Sequence, residues 1–356
     1  MSFIPTVEID LSALRHNLAV VRRHAPASRV MAVIKADGYG HGLLEVARAL
    51  DTVNAFAVAR VDEGVLLRRG RPGGRIVVLA GAHDAAELEA AADAELEVVV
   101  HHPCQLELLR ACSPKRPLRC WLKLDTGMHR LGFPPFECRQ RLEELKALPA
   151  VAEVAGVLTH LANADDLGDD YTRVQLERFE QATGGLVLPR SVANSAAILG
   201  WPETHLDWVR PGIMLYGASP FAASREELRP AMTFTARIVS IKEVEKGAPI
   251  GYGGDWTAPE RMPVAAVAVG YGDGYPREMP SGTPVLLRGR RVSLVGRVSM
   301  DTLTLDLRAC PEAQVGDEVV LWGRGLPAEE IARAAGTIPY TLFCGITGRV
   351  RRSYRE

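Results

Sequence analysis

The chain has 356 residues, 47% of them hydrophobic and 24% charged, and its 42 basic against 43 acidic residues leave a formal net charge of -1. That balance gives no electrostatic footprint for nucleic acid or an anionic surface, and no run approaches the ~20 apolar residues of a spanning helix. Residues 1–10 lack a basic segment followed by an apolar one, so the expectation is a cytoplasmic protein of small-molecule chemistry, with neither nucleic acid nor membrane among its partners.

In chain order, a strand-like Val7–Ile9 leads through Asp10-Leu11-Ser12, a helix start, into a helix that leucine and valine spacing carries to about His24. Strands are then expected at about Val30–Ile34, Ala55–Ala59, Ile76–Leu79, Leu96–Val100, Arg119–Leu124, Val154–Thr159, Leu186–Ser191 and Trp208–Val209. Helical patterning lies between most of them, over Leu43–Leu50, Val61–Arg69, Ala85–Ala92, Pro103–Cys112, Phe136–Leu148 and Tyr171–Ala182. Short strands alternating with helices in this way predict a (β/α)8 barrel rather than a doubly wound sheet. The rhythm stops over 218–229, a stretch that holds Pro220 and is followed by Pro230. Beyond it, Met232–Val239, Val264–Val269, Val285–Leu287, Val292–Val295 and Leu303–Leu307 are separated by Gly and Pro turns and read as strands, with one helix at about Ala328–Ala335. The expected fold class is α/β: an N-terminal (β/α)8 barrel over 1–228 and a C-terminal, mostly β domain over 229–356, packed together without a long linker. Six cysteines, at 104, 112, 120, 138, 310 and 344, show neither paired spacing nor the density of a disulfide scaffold and read as reduced. No metal-ligand set is expected.

Lys35 organises the chemistry. It follows the apolar run Met31–Ile34, and Gly38, Gly40 and Gly42 break the pattern directly after it. A desolvated ammonium is costly and its pKa falls, which is the condition for a nucleophilic amine; Lys35 is therefore either a strand-end lysine reaching solvent or a Schiff-base lysine. Other chemically able residues fall at the carboxyl ends of later strands. These are the run Lys123 to Arg130, Thr159-His160, Ala193-Asn194-Ser195 and Arg210-Pro211-Gly212-Ile213. Taken singly, His160 reads as a core imidazole, Arg130 as a solvated loop charge and Arg210 as a strand-end ion pair. Those readings do not predict that all share the one rim where barrels gather functional groups. Together the residues fit an aldehyde cofactor bearing a phosphate: Lys35 can form a Schiff base, Ser195 with the amides of Gly212 and Ile213 can cradle phosphate oxygens, and Arg210 and His160 can hydrogen-bond a ring. Pyridoxal 5'-phosphate needs such an assembly.

Two motifs, Val33-Ile34-Lys35-Ala36-Asp37-Gly38-Tyr39-Gly40-His41-Gly42 and Lys123-Leu124-Asp125-Thr126-Gly127-Met128-His129-Arg130-Leu131-Gly132, are highly specific. With Gly270-Tyr271-Gly272-Asp273-Gly274-Tyr275, Gly296-Arg297-Val298-Ser299-Met300-Asp301 and Ile338-Pro339-Tyr340, they give the chain, over essentially its full length, a resemblance to the alanine-racemase-like (fold type III) pyridoxal-phosphate enzymes. The resemblance implies that Lys35 holds the cofactor and acts as one base, and that Tyr271, from the partner subunit of a homodimer, is the other. It implies Arg210 at the pyridine nitrogen and His160 bridging towards Tyr271 and Arg210. Tyr39, Asn194, Ser195, Gly212, Ile213 and Tyr340 fall among the cofactor-binding positions, most of them at the phosphate. Arg130 would touch the cofactor phenolate and the substrate carboxylate, with Met300 of the partner at that carboxylate. The lysine matching Lys123 is carbamylated in many relatives. Gly38, Ser299 and Pro339-Tyr340-Thr341 depart from common family forms, which bears on local packing and the carboxylate-side pocket rather than on the reaction.

Racemisation removes a proton from one face of the α-carbon and returns one to the other, so a base on each side is the simplest design. The expected substrate is alanine, for D-alanine supply to peptidoglycan or for catabolism. A racemase of serine or of basic amino acids and a decarboxylase of similar architecture are the alternatives within enzymes. A non-enzymatic pyridoxal-phosphate carrier is the alternative outside them, although such carriers lack the second domain that bears Tyr271 and Met300.

Overall fold

The computed structural model describes residues 3–70, 73–221 and 227–356. They form two compact units: Arg15–Leu215, and the described residues through Leu14 together with Tyr216–Glu356.

The first strand, β1 (Thr6–Asp10), belongs to the second of these units, and a helix, Leu11–His24, follows it. Eight strands then make a closed parallel barrel: β2 (Arg29–Val33), β3 (Ala55–Val58), β4 (Arg75–Val78), β5 (Glu97–Val100), β6 (Leu118–Lys123), β7 (Val151–Leu158), β8 (Arg190–Ser191) and β9 (Trp208–Val209). The last closes on the first through Arg29↔Trp208 and Val30↔Val209. β3 and β5 are buried at every residue and β4 at all but its first, as strands covered on both faces must be. The seventh barrel strand is shorter than Leu186–Ser191 suggests. Gly184, Gly185 and Pro189 turn the apolar Leu186-Val187-Leu188 into a surface connection in which Val187 is exposed, and the ladder begins only at Arg190.

The amino end of the barrel is plugged by an ion-pair network. Glu97 is buried; its Oε1 and Oε2 accept from Arg75 Nε and Nη2 at 2.6 and 2.8 Å, and Oε2 also accepts from Trp121 Nε1 at 2.7 Å. The Arg75 guanidinium lies 4.8 Å from the Trp208 ring centroid, and Arg119 stands 3.3 Å from Glu97 Oε1. Because removing one partner strands the others, Glu97→Ala is expected to cost about 3 kcal/mol in urea unfolding; a loss under about 0.5 kcal/mol would show that the barrel floor closes without this carboxylate.

The second unit is antiparallel for the most part. Its strands are β10 (Met232–Val244), β11 (Pro249–Ile250), β12 (Trp256–Thr257), β13 (Met262–Val267), β14 (Pro284–Leu287), β15 (Arg290–Ser293), β16 (Leu303–Asp306), β17 (Glu318–Trp322) and β18 (Arg351–Arg355). The main order is β15-β14-β17-β10-β1-β18, with β13 between β10 and β16. The expectation that residues 1–228 form the barrel domain differs here in two ways. β1 lies between β10, antiparallel through Ile9↔Met232, and β18, parallel through Thr6↔Arg351, and it is held there by Glu8 and Asp10 against Arg355. At the other end, Tyr216 already accepts from Ala231 N, so the unit starts earlier than residue 229. Of the break expected over 218–229, residues 222–226 lie outside the described residues. A second helix, Pro339–Cys344, joins the expected one, observed as Ala328–Ala334. Among the described residues no helix is long and apolar enough to cross a membrane, and all six cysteines are free.

Candidate active site

β2 ends at Val33, and Lys35 opens a turn rather than closing the strand. Ala36, Asp37, Gly38 and Tyr39 all take left-handed dihedrals, with φ of 53, 54, 62 and 51°. For residues with a Cβ this conformation costs about 1–2 kcal/mol each, so it survives only where the surroundings impose it. The turn is laced by Gly38 N to Ile34 O, Gly40 N to Ala36 O and Gly42 N to Asp37 O, and by Leu43 N donating to Asp37 Oδ1 at 2.9 Å. Lys35 is thereby left half-buried at the carboxyl end of its strand, with Tyr39 buried behind it.

Tyr39 meets the loop after β9. A Cβ at Gly212 would lie 2.7 Å from Tyr39 Oη, so only glycine leaves room for the phenol. Gly212 N donates to Ser195 Oγ at 2.9 Å, with Met214 N at 3.4 Å, which brings the phenol, the hydroxyl and the turn opened by the buried Ile213 to one place. Asn194 Oδ1 accepts from Ala197 N at 3.0 Å; its side chain caps the helix Ser195–Gly200 and so seats Ser195.

Arg210 is buried, and its donors go to neutral acceptors. Nη1 donates to Ser191 Oγ at 2.6 Å, Nη2 to Thr159 O at 2.5 Å and Val192 O at 3.2 Å, and His160 Nδ1 lies 3.4 Å away. Burial lowers the guanidinium to about 10, which still leaves it a cation at neutral pH. Facing a group that can only donate, His160 Nδ1 is the acceptor, so the ring proton sits on Nε2. Burial first, then Arg210, Lys123, Arg130 and Lys35, hold this imidazole well below its usual range, and it is neutral.

Lys123, the last residue of β6, is buried and brought down to about 8, first by desolvation and then by Arg210 and Arg130, with Asp125 opposing and Lys35 adding to the shift. An appreciable fraction of uncharged amine is therefore present near neutrality. Asp125 is itself engaged by Gly127 N and His129 N at 3.0 Å each. Arg130 is exposed on the same loop. Arg210 stands beside His160, and Lys123, Arg130 and Lys35 also bear on this imidazole electrostatically from the carboxyl rim of the barrel, a positive field suited to a phosphate-bearing anion.

Sequence reasoning missed the frame beneath this set. Buried Gln175 receives Ala162 N at 2.8 Å and donates to His160 O at 3.1 Å and Thr126 Oγ1 at 3.2 Å; Thr126 Oγ1 in turn lies 2.9 Å from Thr159 Oγ1. Gln175 falls on the buried stripe of the helix Tyr171–Thr183, and a glutamine in that apolar register was the available signal.

Three expected residues lie in the second unit. Tyr271 and Met300 are exposed, at 39% and 51%. Tyr271 N donates to Ser299 O and Gly272 N to Met300 O, so the two residues sit on adjoining turns. Buried Asp273 accepts from Gly270 N at 3.0 Å, and Arg349 spans Asp273 and Asp301 at 3.3 and 2.6 Å. Tyr340 is half-buried in the first turn of Pro339–Cys344.

Two family models match: one described as "Alanine racemase, N-terminal domain" over residues 9–220, and one as "Alanine racemase, C-terminal domain" over 231–354. Similar curated proteins include the alanine racemase of Nitrosococcus oceani, 53% identical over 353 residues, covering 98% of this chain and 99% of that one. That of Halorhodospira halophila is 52% identical over 356 residues, covering 99% and 98%. Among solved structures, the biosynthetic alanine racemase of Pseudomonas aeruginosa is similar with a TM-score of 0.96 and 44% identity over 100% of both chains. The alanine racemase of Acinetobacter baumannii is similar at 0.91 and 35% identity, over 99% of this chain and 100% of that one. With both family models matching and identities above 50% over nearly the whole length, the chain belongs to the alanine racemase family.

Proposed function

We propose that the chain interconverts L-alanine and D-alanine with pyridoxal 5'-phosphate, as a cytoplasmic homodimer with shared active sites that supplies D-alanine for peptidoglycan or serves alanine catabolism. The observation that carries this reading is the meeting of Lys35, Tyr39, His160, Ser195, Arg210 and Gly212 at one barrel rim, with the Arg210 guanidinium spent on neutral acceptors. Such a rim fits a group that brings a phosphate and a phenolate. Tyr39, Ser195, Gly212 and Ile213 would hold the phosphate, joined by Tyr340, while Asn194 keeps Ser195 in place. Arg210 would face the ring nitrogen and, as a permanent donor, leave it unprotonated. When bound, the cofactor supplies the electron sink for the bond broken at the α-carbon.

In this reading Lys35 takes or returns the α-proton on one face and Tyr271 of the partner subunit does so on the other. Exposure of Tyr271 and Met300 on their own chain is what residues serving a second chain require. Arg130 and Met300 of the partner would hold the substrate carboxylate. Lys123, with its depressed pKa, is suited to adding carbon dioxide to give a carbamate and a released proton, and the resulting anion would steady Arg130.

The test is to load the purified chain with pyridoxal 5'-phosphate, offer single L-amino acids in deuterated water, and follow chirality and α-deuterium incorporation. Alanine should reach equal amounts of both enantiomers, with serine and basic amino acids at least ten times slower, since one or two extra groups in a small pocket cost about 1–3 kcal/mol. Faster turnover of serine or lysine would transfer the assignment to another amino-acid racemase. Cofactor binding without α-exchange of any amino acid would make the protein a carrier.

A further inference from the structure

Glu63 is absent from the set that the sequence pointed to, yet it touches the peptide next to Lys35. It lies in the first turn of the helix Val61–Gly70, after β3, and is half-buried. Its Oε1 accepts from Ala36 N at 2.6 Å; its Oε2 accepts from Ala59 N at 2.8 Å and from Arg60 N at 3.1 Å. One carboxylate therefore ties the loop after β2 to the loop after β3, and both oxygens are spent on backbone donors.

The bond to Ala36 falls where the left-handed run begins. Ala36, Asp37 and Tyr39 each carry a Cβ in a region that disfavours it. Asp37 and the backbone bonds secure the far side of the turn, through Leu43 and Gly42. On the near side, the amide between Lys35 and Ala36 donates its N–H to Glu63 Oε1. If the turn relaxes towards right-handed dihedrals, the first bond to rotate is Ala36 N–Cα, which adjoins the Lys35–Ala36 peptide, so that peptide reorients and Lys35 moves with it.

We propose that Glu63 is a positioning residue for Lys35: by holding the Ala36 and Ala59 amides together, it maintains the left-handed turn that aims the lysine amine at the reacting carbon. The proposal rests on the reading of Lys35 as one of two bases. Its geometric part, the stabilised turn, is measurable without catalysis.

Two arms test it. In the first, amide hydrogen exchange is followed on the full-length chain without substrate. Glu63→Gln keeps the size and one acceptor but must set an amide NH2 against Ala36 N–H or against the Ala59 and Arg60 N–H groups. Exchange over 35–43 is expected to quicken at least tenfold, while the helix Ala85–Asp93 keeps the parental rate. In the second arm, kcat/KM of the holoenzyme for alanine is expected to fall about ten- to a hundredfold, the loss typical of a reacting group misplaced by about 1 Å. The α-deuterium isotope effects should then part. Taking Lys35 as the base that meets D-alanine and Tyr271 as the one that meets L-alanine, the effect from labelled D-alanine rises and that from labelled L-alanine falls, because only the lysine step has slowed. A general loss of active protein would leave both effects at parental values. Glu63→Ala removes both acceptors and should exceed Glu63→Gln in each readout. Parental exchange over 35–43, or isotope effects that stay parental or move together in a racemising variant, overturns the proposal. A parent that fails to racemise alanine while the first arm behaves as expected overturns the functional reading instead and leaves the turn clamp standing.

Discussion

Lys35→Ala is expected to lower alanine racemisation by at least about ten-thousand-fold, the upper range for loss of a positioned acid–base group, and to remove the visible absorption that the loaded protein should show. The lysine is the one amine placed directly at the carboxyl end of β2, ahead of the turn that seats Tyr39 against Gly212. The fold should survive the change, because Lys35 lies outside the left-handed run and the carboxylates of Glu63 and Asp37 hold the turn through Ala36 N and Leu43 N. Borohydride treatment of the parent followed by peptide mapping should fix the cofactor to this residue. Lys123 is the competing amine, since its pKa is brought down to about 8 in the same charged cluster. Fixation on Lys123, with Lys35→Ala still coloured and active, would move the cofactor attachment from the end of β2 to the end of β6 and undo the reading of the rim.

Mixing two inactive variants should restore activity. Lys35→Ala and Tyr271→Phe are each expected to be inactive as pure homodimers, because each leaves every site without one base. If the chains are dissociated, combined in equal amounts and allowed to reassociate at random, about half of the dimers are mixed, and each of these holds one site with both bases. About a quarter of the parental activity per chain should therefore return. Native mass spectrometry of differently tagged variants establishes that mixed dimers formed. Their presence without recovered activity would mean that Tyr271 serves its own chain or none, and that its exposure has some other cause.

Much of this protein is legible in the sequence because it rests on local pattern. The strands Ala55–Val58 and Glu97–Val100 are uninterrupted buried runs, and a parallel barrel covered by helices is the architecture that needs them. The candidate site residues of the barrel follow from that rhythm, since they stand at or just after the ends of its strands, where such folds carry function. Lysine, arginine and histidine at those ends state their chemistry without further context.

Other features were decided only by the tertiary structure. Val7–Ile9 was readable as a strand, but its place between β10 and β18 depends on partners more than 200 residues away, and pairing over that distance leaves no local mark. The apolar Leu186-Val187-Leu188 looked like a strand and is a surface connection, because flanking glycines and Pro189 outweigh its composition. Glycines at 38, 40 and 42 announced a break after Lys35, yet not that Ala36, Asp37 and Tyr39 would share the left-handed conformation. Strain of that kind is held by contacts from elsewhere, here the carboxylate of Glu63 on another helix, just as Gln175 holds the loops beneath His160. Residue types and local spacing determined which groups could do the chemistry; the long-range hydrogen bonds that hold them in one geometry exist only once the chain has folded.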